Sequence, residues 1–240
     1  MPIVLDKEKA KSHYRELVRN REKGFSERFD PFLLEKNPGL RLKLKRIMER
    51  LFEKRYKRIL DIGCGSGYYF TLLSEYCERL EGIDFSPELI GQAKQLIKRN
   101  RLKNFNVRVS DSKKIPFADE SFDCVFAMDV LHHFQELDKS VSEIHRVLKE
   151  GGVFVAIEPN ALNPLILFPN MLRKEEIGVL RNFPTRMRKT MHDFRKMEID
   201  YITYTYRHTF PFKAIEAAGR LIKNTPLKFF STRLAIKAVK

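Results

Sequence analysis

The 240-residue sequence lacks several features that mark specialised classes of protein. Its three cysteines, Cys64, Cys77 and Cys124, form no CxxC pair, which argues against a zinc site and against a disulfide framework. No run of about 18 apolar residues is present to span a bilayer. The first residues, MPIVLDKEKAK, lack the long apolar core of a secretory signal. The sequence therefore predicts a soluble cytoplasmic protein without a metal site.

Charge is distributed unevenly along the chain, whose formal net charge is +15. Residues 1–58 contain 18 Lys and Arg against nine Asp and Glu, and residues 151–240 contain 16 against seven. The middle of the chain, residues 59–150, contains 12 Lys and Arg against 15 Asp and Glu and is slightly acidic. The ligand of the middle segment need not be anionic, whereas the flanks are suited to an anionic partner. The alternative is that scattered lysines only keep the surface solvated.

Short apolar runs alternate with helical patterns from Ile59 onwards. The runs are RILDIG, RLEGID, FNVRVSD, FDCVFAMD and GVFVAIE. Runs of this kind are typical of parallel strands covered by helices on both faces. Ser86 followed by Pro87 predicts the start of one helix, and a second is predicted over residues 138–149, ended by Gly151-Gly152. This alternation predicts a doubly wound α/β sheet that binds its ligand beyond the carboxyl ends of the strands.

The two flanks are predicted to cover this core within a single domain, residues 1–240. Residues 1–58 form a basic helical N-terminal cover, with one helix over 6–23 and another after the NPG sequence. The second of these has apolar residues at helical spacing, namely Leu40, Leu44, Ile47, Met48 and Leu51. Residues 59–160 form the core, and residues 161–240 form a second cover with closing strands.

The C-terminal flank has a less regular pattern. Residues 161–184 contain Pro-interrupted apolar pieces that predict an inserted cover, and residues 186–198 are predicted as a helix. The segment DYITYTYRHTF alternates with period two, which predicts a strand with Ile202, Tyr204, Tyr206 and His208 on one face. A closing strand is predicted at TRLAIKAV.

The glycine-rich stretch ILDIGCGSGYYF, residues 59–70, is the strongest indication of a ligand. Its glycines, Gly63, Gly65 and Gly67, do not follow the GxGxxG spacing that binds a pyrophosphate at a helix N-terminus. Asp61 precedes them. A carboxylate there would repel phosphate but would suit a ligand with an ammonium group.

Two further strand ends carry groups that suit a nucleoside. Asp84 follows the second run and can accept hydrogen bonds from two ribose hydroxyls, which alone would fit NAD equally well. Asp111 and Ser112 follow the third run and could receive an adenine amino group. Ribose, adenine and an amino acid without phosphate together outline S-adenosylmethionine.

Residues 59–158 resemble the class I S-adenosylmethionine-dependent methyltransferases. The resemblance rests on LDIGCGSG, EGIDFSPELI, VRVSDSKKIPFADESFDCVFAMDVLHHF and LKEGGVFVAIEPN, in this order. The pattern is most similar to the small-molecule branch that contains ubiquinone and menaquinone biosynthesis enzymes. The resemblance implies a Rossmann-like, mostly parallel seven-stranded sheet, with N-terminal helices and a cover inserted after the fifth strand. It also implies S-adenosylhomocysteine as a product.

The resemblance assigns roles to particular residues. Asp61 would hold the ammonium group, and the Gly63–Gly67 loop with Cys64 would approach the methionine part of the cofactor. The nucleoside would be held by Asp84, Phe85, Asp111 and Ser112, and the methionine end would face Met128 and Asp129. The competing interpretations are glycines that serve packing alone, Asp61 and Asp129 as helix caps, and Phe85 as a core residue.

Methyl transfer to a hydroxyl or carbon acceptor also requires a proton acceptor, and three residues are candidates. His132 and His133 follow the fourth strand, and Glu158 ends the fifth. Adjacent residues cannot both face the cleft, and we favour His133. The alternative is that both histidines only cap or pack.

No NPPY-like tetrapeptide follows the fourth strand and no paired-glutamate loop is present, which disfavours amine and arginine methylation. We therefore expect methyl transfer to an oxygen or carbon of a small or lipid-linked metabolite. The basic flanks and the apolar segment at residues 162–168 favour an amphiphilic acceptor and peripheral contact with an anionic membrane. Nucleic acid is disfavoured because this segment supplies aliphatic bulk rather than aromatic faces for base stacking, and the chain has no Trp. An RNA-directed methyltransferase or RNA-binding relative, and a cofactor-binding protein without catalysis, remain the alternatives.

Overall fold

The computed structural model describes residues 30–173, 176–204, 212–222 and 225–240, together with four isolated helical positions near the N-terminus. These positions are Lys9, Ser12, Arg15 and Glu16. The rest of the helix predicted over 6–23 lies outside the described residues, as do Tyr206 and His208.

Seven strands form one sheet. They are β1 (Tyr56–Ile62), β2 (Cys77–Asp84), β3 (Phe105–Val109), β4 (Phe122–Met128), β5 (Leu148–Pro159), β6 (Lys196–Ile202) and β7 (Arg233–Val239). The strand order is β3-β2-β1-β4-β5-β7-β6. All neighbouring pairs from β3 to β5 are parallel, and β7 runs antiparallel to both β5 and β6. The predicted doubly wound, mostly parallel seven-stranded sheet is confirmed.

The described helices lie before the first strand and between the strands along the chain. They are α1 (Leu33–Lys36), α2 (Pro38–Leu51), α3 (Phe70–Leu73), α4 (Pro87–Arg99), α5 (Leu137–Val147), α6 (Pro164–Met171), α7 (Pro184–Thr190) and α8 (Phe212–Ile222). Three 3-10 helices cover Leu131–His133, Ile177–Arg181 and Pro226–Phe230.

Local sequence signals explain where α2 and α4 begin. The Asn37 side chain accepts a hydrogen bond from the Leu40 N–H at 2.9 Å and so caps α2. Ser86 does the same for the Leu89 N–H of α4 at 3.3 Å. Both helices have proline at the first position, where no backbone donor is required. The predicted start of α4 at Ser86 and Pro87 is confirmed, whereas α2 begins at Pro38, within the NPG sequence after which its start was predicted.

Two element boundaries differ from the sequence analysis. Gly151 and Gly152 do not end α5, which stops at Val147; they lie within β5, next to a bulge in its pairing with β4. The helix predicted over 186–198 is also wrong, because α7 ends at Thr190 and β6 begins at Lys196. The sequence KMEIDYI alternates exposed and half-buried side chains, which is the period of an edge strand rather than of a helix.

The core consists of two groups of buried apolar side chains that include residues from the sheet. One group includes α2 and α4, and the other includes α5 and α7. Strands β2 and β4 both pair with β1 in parallel. The carboxyl ends of these three strands therefore meet at one edge of the sheet. Among the described residues no helix is long and apolar enough to cross a bilayer.

Candidate functional site

The loop after β1 is fastened to the end of β2. The N–H groups of Gly63 and Cys64 both donate to the Ile83 carbonyl, at 2.7 and 3.0 Å. The Gly65 N–H donates to Asp84 Oδ2 at 3.0 Å. The backbone of residues 63–65 is therefore held against β2 by three hydrogen bonds, one of them to a carboxylate.

The three glycines of this loop have different neighbours, although all have positive φ values of 71°, 54° and 75°. A Cβ on Gly63 would lie 2.2 Å from Val130 Cγ2, and one on Gly67 would lie 2.7 Å from the Phe70 ring. A Cβ on Gly65 would have nothing within 4 Å. Gly63 and Gly67 thus approach protein side chains, whereas Gly65 alone faces open space in which a ligand could lie against the backbone.

Asp61 and Asp84 are both buried beside this loop, with exposed fractions of 3% and 7%. Asp84 accepts backbone N–H groups on both oxygens, from Gly65 and from Ser86 at 2.9 Å. Burial raises the pKa of Asp84 to about 6, and these hydrogen bonds only partly offset that effect. Burial, and then the neighbouring Asp84, raise the pKa of Asp61 well above its usual range. No donor among the described residues reaches the Asp61 carboxylate, which suits a cationic ligand group.

The Cys64 side chain points into the protein. It is buried, and its Sγ lies 2.9 Å from the position a Cβ on Gly82 would occupy. Burial raises the pKa of its thiol well above the usual range. Cys64 can therefore face a ligand only through its backbone.

The residues after β2 and β3 lie nearer the surface. Phe85, Asp111 and Ser112 are all half-buried. Asp111 Oδ1 accepts the Lys113 N–H at 3.0 Å, which forms the turn after β3. Ser112 Oγ lies 2.8 Å from the Ser140 hydroxyl of α5, so the turn is fixed to that helix.

At the end of β4, Met128 is buried and Asp129 has a positive φ of 50°. This backbone conformation is uncommon outside glycine and is often found at functional sites. An Asp129 carboxylate oxygen lies 3.2 Å from Nε of Arg233, the first residue of β7. The sequence analysis missed Arg233; its signal was an arginine at the start of the mostly apolar strand RLAIKAV.

His132 and Glu158 belong to a buried ion cluster. His132 Nδ1 lies 2.6 Å from one Glu158 oxygen, and Nε2 lies 3.2 Å from Glu176. Both His132 and Glu158 have no exposed surface. Burial alone would lower the pKa of His132, but the two carboxylates outweigh it and raise the pKa to about 10. The two carboxylates therefore favour the protonated, cationic form of the ring.

Glu158 has further partners that complete this cluster. Its other oxygen accepts the N–H groups of Val130 and Leu131, both at 2.8 Å. The Asn182 side chain donates at 3.1 Å to the Glu158 oxygen that faces His132. With every oxygen occupied and no exposed surface, Glu158 is not available to an acceptor molecule, and neither is His132.

His133 differs from both, because it is only half-buried. Its ring centroid lies 3.9 Å from that of His132. One ligand atom from each of His132, His133 and Glu176 lies within 4.8 Å of the others, a spacing that could hold a metal ion. Because both ring nitrogens of His132 face carboxylates, a protonated ring accounts for this arrangement without a metal.

The chain is similar to known methyltransferases. Residues 60–156 match a family described as a methyltransferase domain. YcgJ of Bacillus subtilis, an uncharacterized methyltransferase, is 31% identical over 119 residues, or 49% of this chain and 47% of YcgJ. Demethylmenaquinone methyltransferase of Chlorobaculum parvum is 33% identical over 138 residues, or 54% of this chain and 55% of that protein. The chain thus spans about half the length of these curated relatives.

Solved structures extend the likeness over more of the chain. The crystal structure of a SAM dependent methyltransferase from Aquifex aeolicus superposes with a TM-score of 0.60 and covers 88% of this chain and 98% of that one. The sequence identity is 20%, so this likeness concerns the fold.

Proposed function

We propose that this chain, which carries a class I S-adenosylmethionine-dependent methyltransferase domain, transfers the cofactor's methyl group to an oxygen or carbon of a small or lipid-linked metabolite. The family match and the sheet order confirm the class that the motifs over residues 59–158 indicated. S-adenosylmethionine is the cofactor of that class.

One observation carries the proposal: Asp61, Asp84 and the open face of Gly65 lie together at the end of two parallel strands. The two carboxylates disfavour a phosphate, and their burial strengthens interactions with a cation or with hydroxyl donors. Asp61 would hold the ammonium group, Asp84 the ribose hydroxyls, and Gly65 the methionine part of the cofactor.

The remaining residues complete the cofactor site in this proposal. Phe85 would cover the adenine ring, while Asp111 would accept from its amino group and Ser112 would fix the turn. Met128 and the backbone of Cys64 would border the methionine end. Asp129, paired with Arg233, would line the route from the cofactor to the acceptor.

When bound, S-adenosylmethionine supplies an electrophilic methyl group on a sulfonium. The chain positions the acceptor in line with that group and excludes water. His133 would remove the acceptor's proton, since it is the histidine after β4 that retains exposed surface. His132 and Glu158 would support the loop that carries it.

The acceptor is proposed to be small or amphiphilic. A similar protein is named for methylation of demethylmenaquinone, which supports an acceptor of the quinone-precursor type. An RNA acceptor is the second candidate, and a cofactor-binding protein without catalysis is the third. We further propose a cytoplasmic protein that contacts an anionic membrane peripherally.

Label transfer tests these candidates. The protein would be incubated with methyl-labelled S-adenosylmethionine and, separately, with lipid extract, polar metabolite extract and RNA. Transfer to the lipid or polar fraction that fails with Asp84→Ala supports the proposal. Label in RNA alone would select the second candidate, and cofactor binding without transfer to any fraction would select the third.

A further inference from the structure

Helix α6 and the 3-10 helix at residues 226–230 leave many apolar side chains exposed. No residue of α6 is buried, although its sequence is PLILFPNM. Leu165, Phe168 and Leu172 are 67%, 63% and 88% exposed. We use the term apolar patch for these three residues together with Leu162, Met171, Leu227, Phe229 and Phe230, all of which are exposed.

Two buried asparagines join the two parts of the apolar patch. The Asn160 side chain donates to the carbonyls of Phe229 and Ser231 at 2.7 and 2.8 Å. The Asn163 side chain donates to the Phe230 carbonyl at 2.5 Å and caps α6 by accepting the Leu165 N–H at 2.9 Å. The exposed apolar groups are thus held on a fixed backbone, in which both asparagines have satisfied donors and acceptors.

The segments of the chain that contain the apolar patch are basic in sequence. Residues 161–190 contain six Lys and Arg against two Asp and Glu. Residues 212–230 contain four Lys and Arg against one Asp and Glu. Among the acidic residues, Glu176 is paired with His132 in the interior and Glu216 is paired with Lys43 at 2.6 Å. Arg173 and Lys228, which adjoin the patch in sequence, are exposed.

A positive surface with protruding apolar side chains fits one kind of partner best. Two copies of such a surface would repel each other, whereas an anionic bilayer attracts the basic groups and accepts the apolar ones. A surface of exposed Leu, Met and Phe this large is unusual for a protein that functions free in solution.

We propose that the apolar patch binds an anionic membrane surface by inserting Leu165, Phe168 and Leu172 among the lipids. The patch begins immediately after β5, at the same edge of the sheet as the glycine loop. A membrane-dissolved acceptor could therefore enter the site from the bilayer side. This purpose rests on the proposed methyl transfer, but membrane binding itself requires neither cofactor nor acceptor.

Vesicle flotation without cofactor tests the proposal, using phosphatidylglycerol vesicles and phosphatidylcholine vesicles. We expect binding to the anionic vesicles that weakens with added salt. Leu165→Ser combined with Phe168→Ser should weaken that binding by about tenfold or more. Arg173→Glu combined with Lys228→Glu should weaken it by about tenfold through charge.

Matched controls lie on other surfaces of the molecule. Leu42→Ser replaces an apolar residue of α2 that is 51% exposed, and Lys103→Glu replaces an exposed lysine before β3. Both should bind vesicles like the original chain. Absence of binding to anionic vesicles, or equal losses in patch and control variants, would overturn the proposal. A concentration-dependent dimer broken by the Leu165/Phe168 variant, without vesicle binding, would assign the patch to a second copy.

Retained S-adenosylhomocysteine binding in all variants would show that they fold. Methyl transfer that persists without vesicle binding would refute only the membrane surface. Vesicle binding without methyl transfer would refute only the proposed function.

Discussion

Single residues at the proposed site differ in their hydrogen-bond donors from the protein and in their exposure to solvent. Asp84 is already bonded to two backbone N–H groups, so it shapes the loop as well as facing a ligand. Asp61 receives no donor from the described residues, so its charge is left for a ligand to satisfy. His133 keeps exposed surface while His132 has none. Three predictions follow from these differences.

Replacing Asp84 with Ala should weaken S-adenosylhomocysteine binding by about 1–3 kcal/mol, the usual cost of losing a charged hydrogen-bond partner. The loop tether through the Gly65 N–H is lost at the same time. Isothermal titration calorimetry measures the change. Asp193→Ala, at an exposed carboxylate, serves as the matched control and should leave affinity unaltered. Equal affinities for the two variants would refute the role of Asp84.

Cofactor affinity should also depend on pH. The pKa of Asp84 in the protein without ligand is about 6. Because ribose hydroxyls favour the ionised carboxylate, binding of the cofactor should release protons. Affinity should therefore be highest near pH ~7 and fall as pH drops through 6. Asp61, whose pKa is also raised, adds to the effect with the same sign. Calorimetry in two buffers of different ionisation enthalpy counts the protons, and Asp84→Asn should release fewer. An affinity that stays flat down to pH ~5 would contradict this assignment.

His133→Ala should lower turnover by about 10²–10⁴-fold without changing cofactor affinity, as expected for loss of a general base. Single-turnover rates with the acceptor found by label transfer measure this effect. His192→Ala, at an exposed histidine, is the control. Unchanged turnover would mean that the acceptor requires no base, and a parallel loss of cofactor binding would mean that His133 is structural.

At the scale of elements, the loop after β4 is connected to residues 176–181 of the cover after β5 by an ion-pair cluster of His132, Glu158 and Glu176. Glu158 of β5 binds the N–H groups that begin the 3-10 helix at residues 131–133. His132 in that helix then reaches Glu176 at the start of the next 3-10 helix. Gly178 packs so closely that a Cβ there would lie 1.7 Å from the His132 carbonyl oxygen. The position of the cover therefore depends on one buried imidazolium.

Replacing His132 with Ala should lower the free energy of unfolding by about 3–5 kcal/mol, because two buried carboxylates lose their cation. Urea denaturation measures the loss. His192→Ala should cost much less, since that histidine is exposed. A loss no larger than in this control would show that the cluster is not an ion pair.

The pH profile of stability gives a second test of the cluster. The pKa of His132 is raised in the folded state from 6.5 to about 10. The contribution of His132 to the free energy of unfolding should thus be fully present below pH 6.5 and lost as pH rises through 10. The His132→Ala variant should lack this part of the decline. Parallel profiles for the two proteins would contradict a raised pKa.

At the scale of the whole molecule, ligand binding and folding are linked. The residues proposed to hold the cofactor come from the ends of β1, β2, β3 and β4, so the proposed site requires that these strands be assembled. A ligand that binds only the folded state stabilises all of it.

S-adenosylhomocysteine at a hundredfold excess over its Kd should therefore raise stability by about 2.7 kcal/mol. For a chain of this size that corresponds to a rise in Tm of about 5–10 °C. Differential scanning fluorimetry measures the shift. NAD at the same concentration should give none, because the glycine loop lacks a pyrophosphate site. Equal shifts for both ligands would contradict the cofactor assignment.

Much of this architecture could be predicted from the sequence because its signals are local. Ser86 with Pro87 marks a helix start, and five short apolar runs mark strands, although β3 is an edge strand whose side chains are mostly exposed or half-buried. The glycine loop and the acidic residues at strand ends could be recognised for the same reason. The sequence alone did not show that Gly65 differs from Gly63 and Gly67 in its surroundings. Only the fold shows that a Cβ on Gly65 would have no neighbour within 4 Å.

Other features depended on contacts between distant segments. The pairing of His132 with Glu158 and Glu176 joins residues 26 and 44 positions apart, so no local pattern revealed that this histidine is buried. The same applies to Arg233 beside Asp129. Residues 196–198 were predicted as the end of a helix, whereas pairing with β7 makes them the start of a strand that continues into the predicted segment DYITYTYRHTF.

The position of β7 between β5 and β6 has a consequence for the time course of folding. Strand β6 pairs only with β7 in the described sheet, yet β7 begins about 30 residues later in the chain. During synthesis β6 therefore leaves the ribosome before the strand it needs, and it remains unpaired until β7 has been made. Because such non-local pairing is slow and leaves a strand exposed in the meantime, the hairpin of β6 and β7 is the step most open to misassembly and chaperone binding. The order of assembly differs from the order of the sequence, since β6 must wait for β7.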